Sequence, residues 1–139
     1  MRLYKAKIEL FSDRIKNQET GKLGEELFDY WFHRNYQGEK LFKQKADRDY
    51  YGIDFADEKG YTYQVKATRC RSFTFNCCLD DLTEHLRSDL YVFIQITDKV
   101  AYIESIYNRE EILNLAKQSF KDERTCFVYA RDLLQQKLF

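Results

Sequence analysis

The 139-residue chain contains no proline and only five glycines. Lacking proline, it has no rigid polyproline spacer, and with so little glycine it has no flexible Gly-rich linker. Disordered or low-complexity tails are not expected from such a composition. An excess of either charge is also missing, since 23 Lys and Arg balance 23 Asp and Glu. A protein that coats nucleic acid without specificity is usually strongly basic, so the neutral balance argues against that class. Histidine is scarce, with His33 and His85 alone. The four cysteines, Cys70, Cys77, Cys78 and Cys126, make no CxxC pair and no disulfide framework, and with His85 they fit no common zinc spacing. Buried free thiols in a reducing compartment are expected. No apolar run approaches the length of a transmembrane helix, and MRLYKAKIELFSDR scatters charge where a signal peptide needs an apolar core. A cytoplasmic protein with no membrane partner is expected. Gly-rich phosphate loops and nucleophile elbows are absent as well.

What the chain does have is aromatic bulk: eleven Tyr, eleven Phe and one Trp. That bulk is ample for one sizeable core, and residues 1–139 read as a single domain without repeats. Leu23, Leu27, Phe28 and Trp31 recur at helical spacing and predict a helix over Thr20–Asn35, with Thr20 as its N-cap. Short strands are expected at Lys40–Lys45, Gly52–Asp57, Tyr61–Thr68 and Ser72–Asn76. Leu79, Leu82 and Leu86 mark a second helix. The nearly continuous apolar run Leu90–Ile96 reads as a central buried strand. Asp98 and Lys99 turn it into a strand over Val100–Ile106. Asn108 with Glu111 resembles a capping box for a helix reaching about Phe120. Cys126–Ala130 is the last strand, followed by a tail compatible with a helix. The order predicts an α/β sandwich with a mixed central sheet flanked by helices.

The segment Gly52–Thr68 is the most informative. With Glu58-Lys59-Gly60 as the turn and Gly60 in the left-handed conformation, Asp57 pairs with Tyr61 and Asp54 falls opposite Gln64. Directly opposed residues share a face, with Cβ atoms roughly 5 Å apart. Lys66 follows Gln64 on that face, roughly 7 Å along the strand. Ile53, Phe55, Tyr63 and Val65 then face inward. A carboxylate, an amide and an ammonium in one place suit phosphodiester hydrolysis, which needs a neutralised phosphate and an activated water. Asp54 can bind a hard cation such as Mg²⁺. Gln64 and the backbone carbonyl of Val65 can add oxygen ligands. Lys66 can hold the attacking water or stabilise developing charge. Glu25 can reach the same place from the first helix. The bland alternative is a solvated hairpin face, the usual meaning of alternating polar residues, with Glu25 merely complementing a helix dipole.

Taken together, Gly21-Lys-Leu-Gly-Glu25, Gly52-Ile-Asp54-Phe and Tyr63-Gln64-Val-Lys66-Ala resemble the PD-(D/E)XK, or restriction-endonuclease-like, superfamily. The pattern is most similar to archaeal-type Holliday junction resolvases and methyl-directed restriction nucleases. The resemblance implies an αβββαβ core, with Asp54 as the metal-binding acid, Lys66 as the motif lysine and Glu25 as the helix carboxylate. Two positions depart from it. Ile53 stands where proline is usual, and Gln64 stands where an acid is usual, which removes one negative charge from the metal site.

The expected protein is therefore a Mg²⁺- or Mn²⁺-dependent endonuclease acting on DNA, with RNA left open as a substrate. Asp54, Gln64, Val65 through its carbonyl, and Glu25 would hold the metal. Basic residues are mildly concentrated between Lys40 and Arg71. Of these, Lys45, Arg48, Arg69 and Arg71, together with Tyr51, are candidate nucleic-acid contacts. So small a chain has little surface for reading sequence. Recognition of DNA shape, homodimerisation, or service in a larger assembly are the routes left. The alternative function is a nuclease-fold binding or regulatory protein that cuts nothing.

Overall fold

The computed structural model describes residues 6–9, 19–44, 52–97, 100–118 and 124–129. Its frame is a six-stranded sheet in the order β1-β7-β6-β4-β3-β2, with a separate two-stranded ribbon, β5-β8. The strands are β1 (Ala6–Glu9), β2 (Leu41–Lys43), β3 (Phe55–Asp57), β4 (Thr62–Thr68), β5 (Ser72–Phe75), β6 (Leu90–Ile96), β7 (Val100–Asn108) and β8 (Cys126–Tyr129). Helices α1 (Thr20–Asn35), α2 (Leu82–His85) and α3 (Arg109–Gln118) accompany them. Among the described strands of this sheet only the β4–β6 pairing is parallel, so the sheet is mixed and mostly antiparallel. The mixed α/β class is as the sequence suggests.

Two apolar clusters form, one on each face of the sheet. Leu23, Leu27, Phe28, Trp31 and Phe32 of α1 lie against Phe55, Tyr63, Val65, Val92 and Ile94. Tyr91, Phe93 and Tyr107 look the other way, onto Phe73, Phe75, Leu82, Ile112, Leu115 and Val128. The residues of β6 are buried from both sides, as a continuous apolar strand requires. Helix α1 seats closely because Gly24 has no side chain: a Cβ there would lie 2.5 Å from the Cβ of Ala67.

Several local expectations hold. Gly60 sits at φ 90° in the β3–β4 turn. Phe55 pairs with Tyr63 and Ala56 with Thr62, the register read from the turn. Glu111 N–H donates to Asn108 Oδ1 at 2.9 Å and Asn108 N–H to Glu111 Oε1 at 3.3 Å, which is a capping box. Others need correction. Thr20 is not the N-cap of α1. Glu19 holds that position without a side-chain cap bond, while the Thr20 hydroxyl accepts from Arg69 Nε at 3.1 Å. The leucines after Cys78 form only a 3₁₀ turn, Leu79–Asp81, and the one-turn α2. Strand β1 went unread in the sequence, where its four residues carry no alternation strong enough to stand out. Asp98, Lys99 and the tail after Tyr129 lie outside the described residues. All four cysteines are free; Cys77 and Cys126 are buried, whereas Cys70 is exposed. No helix among the described residues is long and apolar enough to cross a membrane.

Candidate active site

The open end of the β3–β4 hairpin places Asp54. Gly52, at φ 79°, turns the chain into this segment, and its carbonyl accepts the Ser88 hydroxyl proton. Asp54 N–H donates to the Tyr63 carbonyl at 2.8 Å, and the Asp54 carbonyl accepts from Gln44 N–H at 2.8 Å. The backbone is thus fixed on both sides although β3 proper starts only at Phe55. Val65 N–H, which the register would direct to the carbonyl of Ile53, is taken instead by Asp54 Oδ2 at 2.7 Å. The carboxylate therefore lies in the sheet's own plane, where the ladder opens. A strand residue directs its N–H and C=O to the same edge, so the Val65 carbonyl faces the same opening.

Glu25 reaches this opening from α1. It stands one residue beyond Gly24, whose close approach to Ala67 holds the helix against β4. Burial, the nearby Asp54 charge and a hydrogen bond to Asp54 push the Glu25 carboxyl up to about 7. Lys43 Nζ lies 3.8 Å from Glu25 Oε2 and pulls in the other direction. Two acids held this close are repelled unless a proton or a cation sits between them.

Gln64 and Lys66 occupy the opposite face from α1, because Tyr63 and Val65, which alternate with them along β4, belong to the α1 core. Both are half-buried. The Gln64 amide has no hydrogen-bond partner among the described residues. Lys66 Nζ stands 4.7 Å from the centre of the Phe75 ring and donates to the Thr74 carbonyl at 3.4 Å. Desolvation lowers the Lys66 pKa, while Asp54 partly restores it. The expectation that Asp54, Gln64 and Lys66 share one face needs correction here. The ladder breaks at Asp54, so its carboxylate turns into the sheet plane and meets Glu25. Asp54 and Glu25 are brought together; Lys66 feels the Asp54 charge from across the strand; Gln64 lies with Lys66 on the face of β4 away from α1.

Arg69 and Arg71 are exposed just past the end of β4, with Arg69 held at the start of α1 by its bond to Thr20. Lys45, Arg48 and Tyr51 lie outside the described residues. A cavity of about 350 Å³ opens between α1 and the β2–β3 edge, lined by Glu25, Glu26, Asp29, His33, Leu41, Lys43 and Phe55. Sequence reasoning missed the place of Lys43 in this site. Its pairing with Phe55 puts it on the α1 face, and that cross-strand register was the signal needed.

No cluster of three or more His, Cys, Asp or Glu side chains among the described residues is placed to hold a metal. The oxygens at the opening are two carboxylates and a backbone carbonyl. That set is hard and suits Mg²⁺ or Mn²⁺, with water or substrate completing the shell, rather than a thiophilic ion. Compared with protein-family models, curated proteins and solved structures, the chain matches none.

Proposed function

We propose that the protein is a metal-dependent endodeoxyribonuclease built on a restriction-endonuclease-like αβββαβ core. The single observation that carries the reading is the meeting of Glu25 with Asp54 where the hairpin ladder opens, beside the Val65 carbonyl. Glu25, Asp54 and Val65 would hold one Mg²⁺ or Mn²⁺, with water or substrate completing the shell. Such an ion neutralises a scissile phosphate and makes a water nucleophilic near neutral pH. Asp54 is fixed for its role by three hydrogen bonds, from its N–H to the Tyr63 carbonyl, from Gln44 N–H to its carbonyl and from Val65 N–H to its carboxylate. Lys66 has a long, flexible side chain, and a phosphate at the opening would draw its ammonium off the Phe75 ring to stabilise transition-state charge. Arg69 and Arg71, at the same end of β4, would grip flanking phosphates. Duplex, branched and single-stranded DNA and RNA, each with and without Mg²⁺ or Mn²⁺, provide the test. Metal-dependent cleavage that disappears in Asp54→Ala and Lys66→Ala is expected.

A second reading is a nuclease-fold regulator that binds nucleic acid without cutting it. The resting place of Lys66 against Phe75, together with the missing acid at Gln64, favours it. Binding without cleavage across every substrate and metal in the same assay would select this reading over the first.

A further inference from the structure

We propose that Lys43 is the built-in counter-cation of Glu25, held against that carboxylate in the metal-free protein and leaving it when a divalent ion enters. This inference rests on the metal site proposed above and adds a positioning residue to it. Lys43 lies on the edge strand β2, opposite Phe55, so the alternation of the sheet turns it toward α1. Its Nζ is 3.8 Å from Glu25 Oε2, and both residues line the same cavity. The two side chains are not equally held: Lys43 is 60% exposed and Glu25 only 24%. Glu25 is therefore fixed by the helix and its surroundings, while Lys43 can swing away along the groove. Glu26 and Asp29 line that groove as well, with His33 beside Asp29, so a displaced ammonium keeps two carboxylates within reach. The arrangement lets two carboxylates stay close before any ion arrives, which like charges otherwise resist.

The consequence is competition. An exposed ion pair is weak, so removing it should tighten divalent binding by about two- to fivefold. Mn²⁺ alone, titrated into the metal-free chain and followed by electron paramagnetic resonance, reads this without any nucleic acid. Lys43→Gln is expected to bind Mn²⁺ about two- to fivefold more tightly than the parent, and Lys43→Arg about equally. Lys59→Gln removes the same charge from a pair with Glu39 elsewhere on the surface and should leave the affinity unchanged. A parent that binds Mn²⁺ with Lys43→Gln unchanged or weaker would overturn the role of Lys43 while leaving the metal site standing. An equal gain in Lys59→Gln would reduce the effect to overall charge and overturn it too. Absence of binding in every protein would overturn both the inference and the metal site beneath it.

Discussion

Asp54 and Asp57 flank one short strand, yet their surroundings give them different work. Asp57 is buried and accepts three hydrogen bonds, from Tyr63 Oη at 2.9 Å, Lys59 N at 2.9 Å and Tyr61 N at 3.0 Å. It ties the turn to the core. Its removal leaves those donors without a partner, so Asp57→Ala should cost about 2–3 kcal/mol in urea unfolding. Asp54→Ala should change stability by less than about 1 kcal/mol, because the lost bond to Val65 is offset by relief from Glu25. Glu25 makes the matching prediction in pH. Its carboxyl rises from 4.5 to about 7 in the folded chain, mainly by burial and then by Asp54. The native state thus holds this proton more tightly than the unfolded state does. The stability it contributes is present below 4.5 and lost as pH rises through about 7. Solvent reaches part of the carboxylate, so the loss should be on the order of 1 kcal/mol. Denaturant titrations of the metal-free protein at about pH 5 and pH 8 should show that loss in the parent and not in Glu25→Gln. Equal slopes in the two proteins would contradict the pairing.

Among the elements, α1 and the β3–β4 hairpin define the site by how closely they approach each other. Helix α1 carries the aromatic stripe, and Phe28 alone meets Trp31, Phe32, Phe55 and Tyr63 at ring separations of 5.3–6.1 Å. That packing fixes the rotation of the helix, which in turn aims Glu25 at Asp54. Gly24 fixes the distance. Substituting Gly24→Ala forces a Cβ into Ala67, and the strain should outweigh the better helix propensity of alanine, giving a net loss of about 1–3 kcal/mol. Combining it with Ala67→Gly should recover part of that loss, a coupling that thermal unfolding of the single and double variants would reveal. If the two substitutions simply add, the contact is not what holds the helix down.

At the scale of the whole molecule, the two faces of the sheet serve different ends. The α1 face supplies a core that presents Glu25. The other face is closed by the β5–β8 ribbon, α2 and α3, and this second core receives Lys66 against Phe75. An ammonium there is poorly solvated, which is why its pKa is lowered. Stability alone would favour an apolar side chain at this position. Lys66→Met should therefore raise the melting temperature by about 2–4 °C and, on the nuclease reading proposed above, abolish cleavage, the signature of a residue kept for chemistry. A melting temperature that falls instead would mean that the ammonium supports the fold. The buried thiols of the same core, Cys77 and Cys126, are both pushed up by burial, Cys126 to about 12. At neutral pH they are protonated packing groups rather than nucleophiles.

The sequence by itself determined the parts whose physics is local. Helix α1 follows from the spacing of Leu23, Leu27, Phe28 and Trp31, and the capping box follows from Asn108 and Glu111. The β3–β4 register follows from a turn with glycine at positive φ. A strand alternation read from that turn also separated Tyr63 and Val65 from Gln64 and Lys66 correctly. Tertiary structure decided what depends on partners distant in the chain. The ladder breaks at Asp54 because its carboxylate captures Val65 N–H, and no alternation rule can foresee a side chain replacing a backbone acceptor. The pairing of β2 with β3 brought Lys43 to Glu25, and the wrapping of β5–β8 put Phe75 under Lys66. Each of these is a contact between residues whose separation in sequence carries no periodic signal, so only the folded chain could bring them together.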